Sequence, residues 1–152
     1  MKAFRFPLER VLAWRRTQLA LEEAALERLR SDLHAIEMAI ADVARRDEGA
    51  ADAMRRTRSV SGPEVADLAK FCDWARLEGQ RLKVRATDCK RQIERKTLSV
   101  TEARQKVRLV ERLKAQRRDS WDVEFNRELE QLAGESAISG WRRDRHSASR
   151  AG

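Results

Sequence analysis

Two cysteines, two histidines and many scattered carboxylates are the side chains in this chain that could do covalent, metal or acid–base chemistry. Cys72 and Cys89 could bond or share a metal, but they lie 17 residues apart on one predicted helix, roughly 25 Å at 1.5 Å per residue. A disulfide requires Cα atoms within about 7 Å, so they cannot join each other. Both fall on an apolar seam, where a reduced thiol packs as a small hydrophobe. His34 and His146 are far apart, and no Cys/His/Asp cluster has metal-ligand spacing. His34 reads as a surface residue beside a seam. The six glycines are scattered, which leaves no phosphate-cradling loop. A lone helix or helix pair offers carboxylates no enclosure to shift their pKa values. The spacing therefore predicts no catalytic residue, no cofactor and no metal, and the chain is not expected to be an enzyme.

What does recur is a heptad. With a at Val65 and d at Leu68, the a and d positions read Val65, Leu68, Cys72, Ala75, Gly79, Leu82, Ala86, Cys89, Ile93, Lys96, Val100, Ala103, Val107, Val110, Lys114, Arg117 and Trp121. Apolar or small residues hold most of them over about eight heptads, the signature of a coiled-coil helix. Such a helix buries one stripe against a partner and encloses no pocket. A second seam runs Leu12, Leu19, Leu26, Leu29, Leu33, Ile36, Ile40, Val43, interrupted early by Arg15 and Glu22.

Composition agrees. The 152 residues are 38% charged and 5% aromatic, with 6 Gly and 2 Pro, which suits long helices rather than a thick core. The net charge is +8 and is unevenly spread. Residues 81–118 carry 14 Lys/Arg against 4 Asp/Glu, whereas residues 119–135 carry 1 Arg against 6 acids. Such residues often form only a solvated helix face, but the first helix is near neutral and cannot balance them, so contact with something acidic is expected. No apolar run approaches the roughly 18 residues of a membrane span, and the first residues lack the apolar stretch of a secretory signal, so a cytosolic location is expected.

Local signals divide the chain. Pro7 suits the first turn of a helix. Gly49 predicts local fraying. Ser61 and Glu64 have capping-box spacing, and Gly62-Pro63 prevents continuation of the preceding helix. The prediction is all-α: a long antiparallel two-helix coiled coil over residues 1–135, with helix 1 at about 7–58, a turn at about 59–62 and helix 2 at about 63–133. Gly134 would cap its end, and residues 136–152 read as a basic disordered tail. A turn centred near residues 60–61 sets Leu12 opposite Leu109 and Val110, Leu33 opposite Cys89, and Ile40 opposite Leu82. A turn at Gly49 is the alternative. In the first register, residues 116–133 overhang as about 25 Å of lone helix at 1.5 Å per residue. Trp121, Phe125, Leu129 and Leu132 would then form an exposed apolar stripe, unless Phe4, Phe6 and Trp14 fold over it.

The ends of the chain carry a resemblance. Phe4-x-Phe6-x-Leu8-x-x-Val11-Leu12-x-x-Arg15, followed by Leu19-x-x-Glu22-x-Ala24-x-x-Glu27, resembles the start of the FliJ-like family of flagellar export proteins. Glu102-Ala103-Arg104, Val110-Glu111-x-Leu113-Lys114, Arg117-Arg118, Trp121 and Glu124 are similar to its C-terminal stretch. The resemblance covers about residues 4–135, with no match in about 45–75. It implies a cytoplasmic component of the flagellar type III export apparatus, peripheral to the inner membrane. It implies a stalk in the centre of a hexameric export ATPase, touching the cytoplasmic domain of the export gate and engaging export chaperones.

On that reading the ATPase-contact candidates are Phe4, Phe6, Leu12, Arg15 and Arg16 on one strand, with Arg117, Arg118, Trp121, Phe125 and Leu129 on the other. The gate-contact candidates at the opposite end are Met54, Phe71 and Trp74, which could equally cover the turn. Two other readings stay open: the stalk of a virulence-type secretion ATPase, and a basic coiled coil binding nucleic acid. Nucleic acid is not the expected partner, because no zipper-type basic region, helix-turn-helix or zinc finger is visible. The membrane is expected to be met only through the export apparatus.

Overall fold

The computed structural model describes residues 3–150. Two helices make up the fold, α1 (Glu9–Arg56) and α2 (Gly62–Arg150), and the described residues contain no strand. The helices pack against each other, as in a helical hairpin. Their contacts gather into two compact units: residues up to Arg16 with those from Gln105 onward, and Thr17–Arg104.

The helix ends follow from local chemistry. The Glu9 amide donates to the Phe6 carbonyl at 3.2 Å and the Leu12 amide to the Leu8 carbonyl at 2.9 Å, so the chain turns into α1 just after Pro7. α1 passes through Gly49 without a break, where fraying is expected from the sequence. At the start of α2 the capping box forms in both directions. The Ser61 amide donates to Glu64 Oε2 at 2.7 Å, and the Glu64 amide donates to Ser61 Oγ at 3.4 Å. The Ser61 amide bond, then a bond from Ser61 Oγ to the same Glu64 oxygen at 2.9 Å, holds the Glu64 carboxyl below its ordinary pKa.

The far end of α2 departs from expectation. The sequence predicts an end near Ala133 and a disordered tail from Ser136, yet α2 continues to Arg150. Gly134 does not adopt the positive φ of a C-terminal cap. No proline follows it, and Ala137, Ile138 and the later arginines are tolerated in a helix. Residues 126–139 are exposed along this stretch.

In the Thr17–Arg104 unit the core is Leu26, Ala75, Leu82, Ala86, Cys89 and Val100, all buried. Every seam position of α2 from Leu68 to Ala103 is buried or half-buried. The two helices approach closely in this unit. Cys89 shows this closeness, since its thiol donates across to the Leu29 carbonyl at 3.3 Å. In the other unit Phe6, Leu12 and Val107 are buried, and Leu12 is 1% exposed. Val65, the first position of the predicted seam, and Arg117, the last but one, are exposed.

Candidate functional site

The unit formed by residues up to Arg16 and from Gln105 onward holds most of the sequence-predicted contact residues. α1 presents Glu9, Leu12 and Arg16 on one side, three and four residues apart. Glu9 accepts from Lys114 Nζ at 2.7 Å, and Arg16 donates to Glu111 at 2.7 Å. These two ion pairs flank Leu12, and their aliphatic stems help exclude water from it. Lys114 also sits 5.9 Å from the Phe6 ring centroid.

Above this base lies an aromatic cluster. Phe4 tilts against Trp121 with centroids 6.0 Å apart, and Trp121 stacks on Phe125 at 4.8 Å. The four-residue spacing of Trp121 and Phe125 puts them one above the other on α2. Both are half-buried, and the stripe runs on into Leu129, 41% exposed, and Leu132, 51% exposed. Phe4 therefore covers the first residue of the stripe while Trp14 does not join it, remaining exposed with the Arg15 guanidinium 4.7 Å from its ring centroid.

The candidates thus divide. Phe4, Trp121 and Phe125 come together, with Leu129 beyond them. Arg15 is half-buried and Arg16 is ion-paired. Arg117 and Arg118 are exposed, and neither enters an ion pair among the described residues. Two candidates need correction: Phe6 and Leu12 are buried and serve the packing of this unit, so neither offers a surface to a partner. They read as contact residues from sequence because an apolar residue near a helix start looks the same whether it is core or surface.

In the Thr17–Arg104 unit, Phe71 and Trp74 pair at 5.5 Å, with Phe71 half-buried and Trp74 47% exposed. Met54 is half-buried. Two polar contacts here escaped the sequence analysis. Glu22 accepts from Lys96 Nζ at 3.0 Å and from Ser99 Oγ at 2.9 Å. Glu22 and Lys96 are each a polar interruption of an apolar seam, and that shared oddity was the available signal. The Lys96 bond, then the Ser99 bond, holds the Glu22 carboxyl below its ordinary range.

The second contact involves Cys72, which lines a groove together with Asp47. The Asp47 carboxylate beside it, with a smaller contribution from burial, raises the thiol pKa above its ordinary value of 9.0. The neutral thiol is the form the fold favours, so Cys72 should react slowly with iodoacetamide at mildly alkaline pH. Asp47→Asn removes the charge and should speed its alkylation severalfold, which mass spectrometry of the labelled peptide would detect. An unchanged rate would show that Asp47 does not control the thiol.

A groove of about 540 Å³ beside these residues is lined by Ile40, Val43, Ala75 and Gly79, with Asp47, Cys72 and Lys83 among its polar groups. Among the described residues no group of His, Cys, Asp and Glu could hold a metal ion. None of the described helices is long and apolar enough to cross a membrane. Comparison with protein-family models, characterised proteins and solved structures finds no match to this chain.

Proposed function

We propose that this protein is a FliJ-type stalk: a non-enzymatic antiparallel coiled coil that binds the hexameric ATPase of the flagellar type III export apparatus. Its further partners are the cytoplasmic domain of the export gate and export chaperones. It acts in the cytoplasm, at the inner-membrane export apparatus. The antiparallel arrangement is supported by contacts whose order reverses between the helices. In the Thr17–Arg104 unit Glu22 meets Lys96, Leu29 meets Cys89 and Asp47 lies beside Cys72. In the other unit Phe4 meets Trp121, Glu9 meets Lys114 and Arg16 meets Glu111.

The observation that carries the functional reading is the contact of Phe4 with Trp121. These two residues belong to the opposite ends of the family-like sequence pattern, and they join in one aromatic cluster. Beyond that cluster α2 overhangs, with an apolar stripe in Leu129 and Leu132 and charges around it. A helical end of this kind suits insertion into the pore of a ring.

The double variant Trp121→Ala, Phe125→Ala tests this. Truncating a buried aromatic anchor typically costs about 2 kcal/mol or more, about a 30-fold loss of affinity. Binding to the purified export ATPase should weaken by at least that factor while far-ultraviolet circular dichroism stays unchanged. Binding that survives would remove this cluster from the interface.

A virulence-type secretion stalk would share the same architecture and is separated by which ATPase it stimulates. Exposed Arg108, Arg112, Arg117 and Arg118, none ion-paired among the described residues, favour nucleic acid as the second reading. Nucleic-acid binding would fall steeply with salt, roughly in proportion to the phosphates contacted.

A further inference from the structure

We propose that two copies of this chain associate antiparallel through α2, each setting its acidic stretch against the basic base of the other. The observation is a charge pattern that reverses sign about one residue. Lys106, Arg108 and Arg112 lie 12, 10 and 6 positions before Arg118, and Glu130, Glu128 and Glu124 lie 12, 10 and 6 positions after it. All six are exposed on one continuous helix, and none is ion-paired among the described residues. When a second α2 is laid antiparallel with its Arg118 at the same height, each of these cations comes level with a carboxylate. The two-fold axis repeats every match. A parallel overlay would set basic against basic and acidic against acidic.

The surrounding charges act in the same direction. Residues 3–16 and 105–118, which belong to one unit, carry 10 Lys/Arg and 2 Glu, so an acidic segment meets positive charge from both helices there. Residues 119–135 carry 6 acids and 1 Arg. A nucleic acid would match only the basic half and be repelled by the acidic half, whereas a second copy matches both. Leu109, 64% exposed, and Val123, 51% exposed, lie 14 residues apart, close to four turns, and so share one side of α2. The overlay brings Leu109 of one copy to within about one turn of Val123 of the other, adding an apolar contact to the charge match. The association is independent of the stalk reading, because it uses no residue of the Phe4, Trp121 and Phe125 cluster.

Sedimentation equilibrium of the full chain tests the proposal. At about 0.05 M salt, where exposed charges act over more than 10 Å, the mass should approach twice the 17.6 kDa of one chain. At about 0.5 M salt the charges are screened within a few ångströms and the monomer should return. The triple variants K106E/R108E/R112E and E124K/E128K/E130K should each be monomeric alone, and a mixture of the two should form one-to-one dimers. Recovery in the mixture also shows that both variants remain folded. A monomer at low salt, a dimer indifferent to salt, a triple variant that dimerises alone, or a mixture that stays monomeric would each overturn it.

Discussion

Leu12→Ala is expected to destabilise the unit around Leu12 by about 2–5 kcal/mol, the range for deleting a buried leucine side chain. Leu12 is the largest side chain buried below 2% exposure. It sits between the Glu9–Lys114 and Arg16–Glu111 ion pairs, in a unit whose other buried residues are Phe6 and Val107. A two-helix contact has few core residues, so each carries a large share of the stability, and neighbouring side chains have little freedom to close the hole. The loss is large against a domain stability of about 5–15 kcal/mol. Thermal melting followed at 222 nm should show an early transition, with hydrogen exchange rising first at residues near Leu12 and Val107. Leu12→Met, which conserves volume, should cost less than about 1.5 kcal/mol. If Leu12→Ala melts as the parent does, the burial of Leu12 is not what holds this unit.

Reversing one charge of the Glu22–Lys96 pair should be the next most damaging change. Both side chains are about 30% exposed, and both sit where an apolar seam would otherwise continue. Lys96→Glu alone sets two carboxylates against each other in a partly dry interface and removes a donor that Glu22 uses. Glu22→Lys alone sets two ammonium groups together and strips Ser99 of its acceptor. Each should lower the melting temperature by several degrees, and the double swap should recover most of the loss. Failure of the swap to recover would assign the effect to packing rather than to charge.

The same pair sets an acid dependence. The Glu22 carboxyl is held below its ordinary value of 4.5, so its contribution is complete above that value. It is lost as pH falls from there through the lower pKa of the folded state. Glu22→Gln should flatten the stability profile below pH 4.5. A polar pair inside a seam adds less to stability than an apolar pair of similar size, and its attested use is to select one register. Glu22→Leu with Lys96→Leu should therefore keep or raise stability while admitting alternative pairings.

The helical class and the packing of two helices were legible because a heptad spaced as in Leu82, Ala86, Cys89 has no other good solution than burial against a second helix. Gly62-Pro63 and the Ser61/Glu64 box placed the break for local steric and hydrogen-bonding reasons that need no tertiary information. The end of α2 was not legible. Gly134 resembles a cap in sequence, but only its φ decides that role, and a polar helix and a polar coil have the same composition. Leu12 was legible as a seam residue, but how deeply Leu12 and Phe6 are buried was not, since depth depends on which side chains of the other helix arrive beside them. Glu22 was noticed as an interruption of its seam, whereas Lys96 was placed on the other seam without remark. Pairing them needed a register accurate to one turn, which the seam spacing alone does not supply.

The stalk reading itself is tested most directly by titrating the chain into the flagellar export ATPase of the same organism. ATP turnover and ring assembly would be followed at about 0.15 M salt, where exposed charges are screened beyond roughly 8 Å. The account predicts stimulation of both, saturating near one chain per hexamer and reduced by Trp121→Ala with Phe125→Ala. Turnover and assembly that do not change at any ratio of chain to ATPase would contradict it.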